Sequence, residues 1–142
     1  MHPSAPLGDG QVAFHDAVSA EMAAKMMRAS DALLVSLAAD PVVAKTVPIK
    51  LYDSTAVGRP VIVAAPGEAN RLAESRGAGI AVAPGDPEAL AETVRRLAAE
   101  PQLRSEVSAS GVAFASSQLR ELQVEPLEKV LESAADGAAK KR

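Results

Sequence analysis

The sequence predicts an α/β fold: a parallel sheet of about four strands flanked by helices, with further helices towards the C-terminus. Short runs rich in Val, Ile, Leu and Ala recur at residues 12–14, 33–35, 61–64 and 79–82. Stretches of helical periodicity separate them, each long enough for the crossover that a parallel pair requires. The run VIVA at 61–64 is wholly apolar and largely β-branched, the pattern of a strand buried on both faces. Strands alternating with helices in this way build a parallel sheet with right-handed connections.

Taken in order, residues 1–11 are rich in Pro and Gly and read as a flexible segment. Val12, Ala13 and Phe14 form the first expected strand, with His15 and Asp16 just beyond it. That pair is either a general acid/base or phosphate-binding couple or an incidental exposed turn. Ser19 suits the N-cap of the next helix, with Glu21 in its first turn. Met22, Met26 and Ala29 share a face through which this helix is expected to pack. Leu33, Leu34 and Val35 make a second buried strand. A loop over 38–47 follows, with Asp40 and Pro41 as turn formers.

Pro48 fits the first position of a helix, where its missing N–H has no intrahelical partner anyway. Ile49, Tyr52 and Ala56 recur at helical spacing and are expected to be its buried face. Asp53 lies one turn from Lys50. Gly58 is placed to stop this helix in a left-handed conformation. After the strand at 61–64, PGEA opens a helix over 67–76 with Leu72 and Ala73 inward, and Gly77 ends it. Asp86, Pro87 and Glu88 are a cap, a first-position proline and a first-turn acid. Leu90, Val94 and Leu97 then form an apolar stripe ending near Glu100. Pro101 opens another helix, weakened at Gly111, in which Phe114 is a candidate for burial. Residues 119–131 read as a last helix interrupted at Pro126, and 135–142 as a frayed tail. The expected unit is one partial Rossmann-like domain over 12–134.

One domain suits 142 residues, and 48% hydrophobic content can fill a core even with only 2% aromatics. Fifteen basic against eighteen acidic residues leave a net charge of −3, which argues against nucleic acid as the main partner. The tail Lys140, Lys141 and Arg142 reads as a solvated end. With no cysteine there is no disulfide and no thiolate metal site. No apolar run approaches the roughly 18 residues of a membrane span, and the N-terminus lacks the pattern of a signal peptide. The expectation is a soluble cytoplasmic protein without a resident metal. A Gly-rich phosphate fingerprint, a Walker loop and a Gly-x-Ser-x-Gly elbow are all absent.

The segment PIKLYDSTAVGRPVIVAAPGEA resembles the nucleotide-sugar-binding segment of family 4 glycosyltransferases, which have the two-Rossmann-domain GT-B fold. Ser30 to Val35 before it, and GAGI at 77–80 with APGDPEAL at 83–90 after it, resemble the family's runs in the same order. The resemblance spans about residues 12 to 134. It implies a retaining, hexosyltransferase-like donor-binding domain whose substrate is a nucleotide sugar of UDP or GDP type, with no cofactor.

Site residues follow from the resemblance one at a time. Asp53 stands where the family usually has a Glu holding the ribose hydroxyls; an ionised acceptor facing a diol forms charge-assisted hydrogen bonds. Asp is shorter by one methylene, roughly 1.3 Å of reach. The plainer reading is a surface Asp beside Lys50. The family's acidic contact to the donor sugar falls on Lys45, a reversal of charge that leaves Lys45 as a phosphate contact or a solvated loop lysine. Thr46, Pro48, Ile49 and Lys50 surround a helix N-terminus, whose free N–H groups and dipole suit a diphosphate. Gly67 and Glu68, at the carboxyl end of the central strand, complete the set; Glu68 is equally a first-turn acid of its own helix.

The resemblance also implies an N-terminal acceptor domain and earlier basic strands that should precede Val12. The expected function is therefore a donor-domain fragment, inactive without an N-terminal half that a separate acceptor-domain chain or an upstream reading frame would supply. The alternative is a non-catalytic Rossmann-like remnant serving binding or assembly. Either way an open sheet edge predicts self-association.

Overall fold

The computed structural model describes residues 14–139. The expected N-terminal segment 1–11, Val12, Ala13 and the basic end 140–142 lie outside the described residues. Within them run α1 (Ala20–Ala29), β1 (Leu33–Ser36), a 3-10 turn η1 (Val43–Lys45), α2 (Ile49–Ala56), β2 (Val61–Ala64), α3 (Glu68–Arg76), β3 (Ile80–Val82), α4 (Pro87–Ala99), α5 (Pro101–Ser117) and α6 (Arg120–Ala139). The class is α/β, a partial Rossmann-like parallel sheet, with three strands among the described residues. Phe14, from the run expected as the first strand, is exposed and outside any strand.

The strand order is β1-β2-β3, all parallel, with Leu33 opposite Val61 and Ile62 opposite Ile80. The central strand β2 is buried along its whole length, as its composition requires. Its alternate side chains feed two cores. Val61 and Val63 join Val35, Leu51, Ala69, Ala73 and Phe114 on one face. Ile62 and Ala64 join Val82 and Leu97 of α4 on the other.

The strand β1 departs from the expectation of full burial: Leu34 is 51% exposed, whereas Val35 is buried. The reason is position. The edge strand lies beyond α4, which packs on β2 and β3, so among the described residues its cover is chiefly on the face towards α2.

The helix α2 also differs in phase from the expected stripe. Ile49 is 77% exposed and Ala56 is exposed, while Leu51, Ser54 and Thr55 are buried and Tyr52 is half-buried. What turns it is α5. Thr55 packs against Gly111, where a Cβ would meet the Thr55 side chain at 3.6 Å. The Thr55 hydroxyl is satisfied by the Leu51 and Tyr52 carbonyls at 2.9 and 3.0 Å. The Tyr52 ring stacks on Phe114 with centroids 5.7 Å apart. Gly111 therefore does not break α5; it lets two helices approach.

In α1 the expected cap is present, Ser19 accepting from the Met22 N–H at 3.2 Å. Its expected packing stripe is not: Met22, Met26 and Ala29 are exposed, and the helix buries no residue. Asp86 caps α4 through the Ala89 N–H at 2.9 Å, with Pro87 at the first position. The helix α6 runs through Pro126 to Ala139, with Val124, Leu127 and Leu131 exposed. Among the described residues no helix is long and apolar enough to cross a membrane.

Candidate functional site

The carboxyl ends of β1, β2 and β3 share one edge of the sheet, because the strands are parallel and in register. The segments leaving that edge carry the residues singled out from the sequence. From β1 the chain passes through η1 into α2; from β2 it passes through Pro66 and Gly67 into α3.

Pro48 is the N-cap of α2, with extended backbone at ψ 140°, and Ile49 is the first helical residue. The sequence places Pro48 one position later, as the first helical residue; its ring fixes φ near −72°, a value the extended and helical regions share, so it serves at the N-cap as well. The Leu51 N–H bonds the Pro48 carbonyl, and the earliest N–H groups of the helix face away from any intrahelical acceptor. Thr46 turns its hydroxyl inward to the Val43 carbonyl at 2.9 Å, closing η1. Lys50 extends back to the end of β1, where its Nζ donates to the Ser36 carbonyl at 2.9 Å. Its ammonium is thus held at the strand terminus rather than beside Asp53. Asp53 is exposed one turn further along α2. Lys45 ends η1 and is exposed.

Gly67 has φ 61° and ψ −124°, a conformation for which only glycine is suited. It is also the point where the two loops touch. A Cβ at 67 would lie 2.1 Å from the Ala44 carbonyl oxygen. Glu68, at the start of α3, is held by Arg71: Nε of the arginine donates to Oε2 at 2.9 Å. This hydrogen bond, opposed by partial desolvation and aided by the arginine's charge, keeps the Glu68 carboxyl below its ordinary value. The same pairing raises Arg71.

The geometry therefore brings Thr46, Pro48, Ile49, Lys50, Gly67 and Glu68 to one edge, with Asp53 on the helix that rises from it. Beside them is a shallow cleft of about 190 Å³ lined by Ser36, Ala64, Gly85, Asp86 and Leu90. Ser36 and Ala44 were not singled out from the sequence; both contribute main-chain atoms, which composition and spacing do not reveal. Asn70 was also missed. Its Oδ1 is buried with no hydrogen-bond partner among the described residues, two residues into α3. His15 and Asp16 are exposed and outside regular structure. No group of three His, Cys, Asp or Glu side chains able to hold a metal occurs among the described residues.

Comparison with protein families gives a match to the model described as glycosyl transferases group 1, over residues 3–100. Comparison with curated proteins and with solved structures gives no match.

Proposed function

The chain belongs to the group 1 glycosyltransferases, and on that premise we propose that it is a donor-binding unit for a nucleotide-activated sugar. The observation that carries the proposal is the meeting of two loops at the carboxyl edge of the sheet, Gly67 against Ala44, beside a lysine anchored at the end of β1. In open parallel sheets that edge is the usual place for a ligand.

Each residue then has a role. The first N–H groups of α2, behind Thr46, Pro48 and Ile49, receive the diphosphate, and Lys50 swings from the Ser36 carbonyl to neutralise it. Asp53 accepts from the ribose hydroxyls. Gly67 lets the Ala44 carbonyl close on the start of α3 and so brings the two loops together, and Glu68 retains lone pairs beyond those taken by Arg71 for a sugar hydroxyl. A carboxylate at 53 and an ammonium at 50 on one helix match the alternation of diol and diphosphate along a nucleotide.

Transfer itself needs an acceptor site and further cations for the diphosphate. In this reading a complementary acceptor-binding unit supplies both, and no metal or cofactor takes part. Chemical-shift mapping of the chain with UDP and GDP tests the reading. Saturable shifts centred on residues 46–53 and on Gly67 and Glu68 are expected. Shifts centred on the opposite edge of the sheet would refute it. The second reading, a non-catalytic binding or assembly module, draws on the exposed apolar residues of α1 and α6.

A further inference from the structure

The segment between β1 and α2 is organised by one side chain. Asp40 Oδ1 accepts the N–H of Val42 at 2.7 Å and that of Val43 at 3.2 Å. Its main-chain carbonyl accepts the N–H of Ala44 at 2.9 Å. These are donors at the start of a short 3-10 turn, and an oxygen in this position satisfies them as an N-cap does. The far end of the turn is closed by Thr46, through its hydroxyl and its N–H, both donated to the Val43 carbonyl.

The turn so formed is seated against α3. Ala44 presents its carbonyl and Cα to Gly67, so closely that only a hydrogen fits there. Gly67 is in turn the N-cap of α3, its carbonyl accepting the Arg71 N–H at 3.0 Å. A chain of contacts thus runs from the Asp40 carboxylate through Ala44 to Gly67 and the first turn of α3. It joins the two loops that carry the candidate site.

We infer that Asp40 is a positioning residue of the donor site. By capping η1 it seats Ala44 on Gly67, and so fixes residues 46–50 relative to Gly67 and Glu68 without touching the ligand. The inference rests on the donor-binding reading for its function, whereas the coupling of the loops is a property of the free chain and is tested separately. The cap requires an acceptor oxygen and not a negative charge. Asp40→Asn should therefore preserve it, and Asp40→Ala should remove it.

The test combines amide hydrogen exchange with titration by UDP and GDP, on wild type, Asp40→Ala and Asp40→Asn, with far-UV circular dichroism as the check on folding. In Asp40→Ala, exchange should rise about tenfold or more at Ala44 and Thr46 and also at Arg71 across the contact. Affinity for whichever nucleotide the wild type binds should fall about tenfold or more, the effect of a displaced but intact binding loop. Asp40→Asn should restore both. Exchange that rises only at residues 42–46, leaving Arg71 unchanged, would overturn the inference. So would equal losses of affinity in both variants, which would mean that the charge itself meets the ligand. If the wild type binds neither nucleotide, the donor reading fails and positioning of a donor fails with it. If Asp40→Ala does not fold, Asp40→Gly, which also removes the side-chain acceptor but costs a cap position less, takes its place beside Asp40→Asn.

Discussion

The ammonium of Lys50 lies 2.9 Å from the main-chain carbonyl of Ser36, fourteen residues earlier at the end of β1. This contact ties the first turn of α2 to the strand terminus and holds a positive charge at the carboxyl edge of the sheet. Because the bond is exposed, it adds little stability, about 0.5 kcal/mol or less on the scale of surface substitutions. Lys50→Ala should leave the unfolding midpoint nearly unchanged. The same substitution should weaken nucleoside diphosphate binding about tenfold or more, the effect of a lost charge-assisted hydrogen bond. Urea unfolding and a binding titration on one preparation separate the two effects. Equal affinity in both proteins would remove Lys50 from the site.

Gly67→Ala should act differently. The substitution puts a Cβ at positive φ and drives it into the Ala44 carbonyl. Backbone strain of this kind costs on the order of 1–3 kcal/mol before the clash relaxes. Denaturant unfolding should show a loss in or above that range. A variant as stable as wild type would mean that η1 moves away from α3 at no cost.

Much of the fold was legible in the sequence, for reasons that particular residues illustrate. VIVA at 61–64 identified a doubly buried strand because no polar residue interrupts it. The caps at Ser19 and Asp86 and the stop at Gly77 were legible because each depends on local chemistry alone. The phase of α2 was not. Eight residues span barely two turns, and Ile49, Leu51, Tyr52 and Ala56 support two stripes almost equally. Contact with Gly111, more than fifty residues away, decides between them. Burial at the sheet edge was illegible for the same reason: Leu34 looks like a core residue until the position of α4 is known. Of the candidate site, Lys50, Asp53 and Glu68 are singled out in the sequence by their side-chain chemistry. The helix start at 46–49 is a candidate through its free N–H groups, whereas the Ser36 and Ala44 carbonyls, which meet Lys50 and Gly67, leave no mark in composition or spacing.

The Glu68–Arg71 pair sets a pH dependence. The folded carboxyl titrates below its ordinary value of 4.5, chiefly because Arg71 hydrogen-bonds the ionised form. A lowered folded pKa stabilises the protein above the unfolded value, and the gain is lost as pH falls through the folded value. Arg71 remains charged throughout. The stability difference between wild type and Glu68→Gln should therefore be constant above pH 4.5 and shrink as acid is added. With Arg71 exposed and Glu68 only half-buried, the pair should also weaken in high salt. A difference that grows on acidification would contradict the assignment.

Among the described residues no strand pairs with the outer edge of β1, and that edge predicts association. Leu34 is exposed beside strand groups that have no partner strand among the described residues, the arrangement that natural sheets usually cover or charge. Light scattering should detect concentration-dependent oligomers, and Leu34→Lys should reduce them. A monomer at all concentrations would show that the edge is protected.

The central claim is that the edge formed by α2 and α3 holds a nucleotide sugar, and calorimetric titration with UDP, GDP and their sugars tests it most directly. Wild type and Asp53→Ala are compared, since Asp53 is exposed and its loss should change stability by no more than about 0.5 kcal/mol. The account predicts saturable binding of one nucleotide class, weakened roughly tenfold to a hundredfold by Asp53→Ala. No binding of any nucleotide by the folded chain, or binding that Asp53→Ala leaves unchanged, would contradict it.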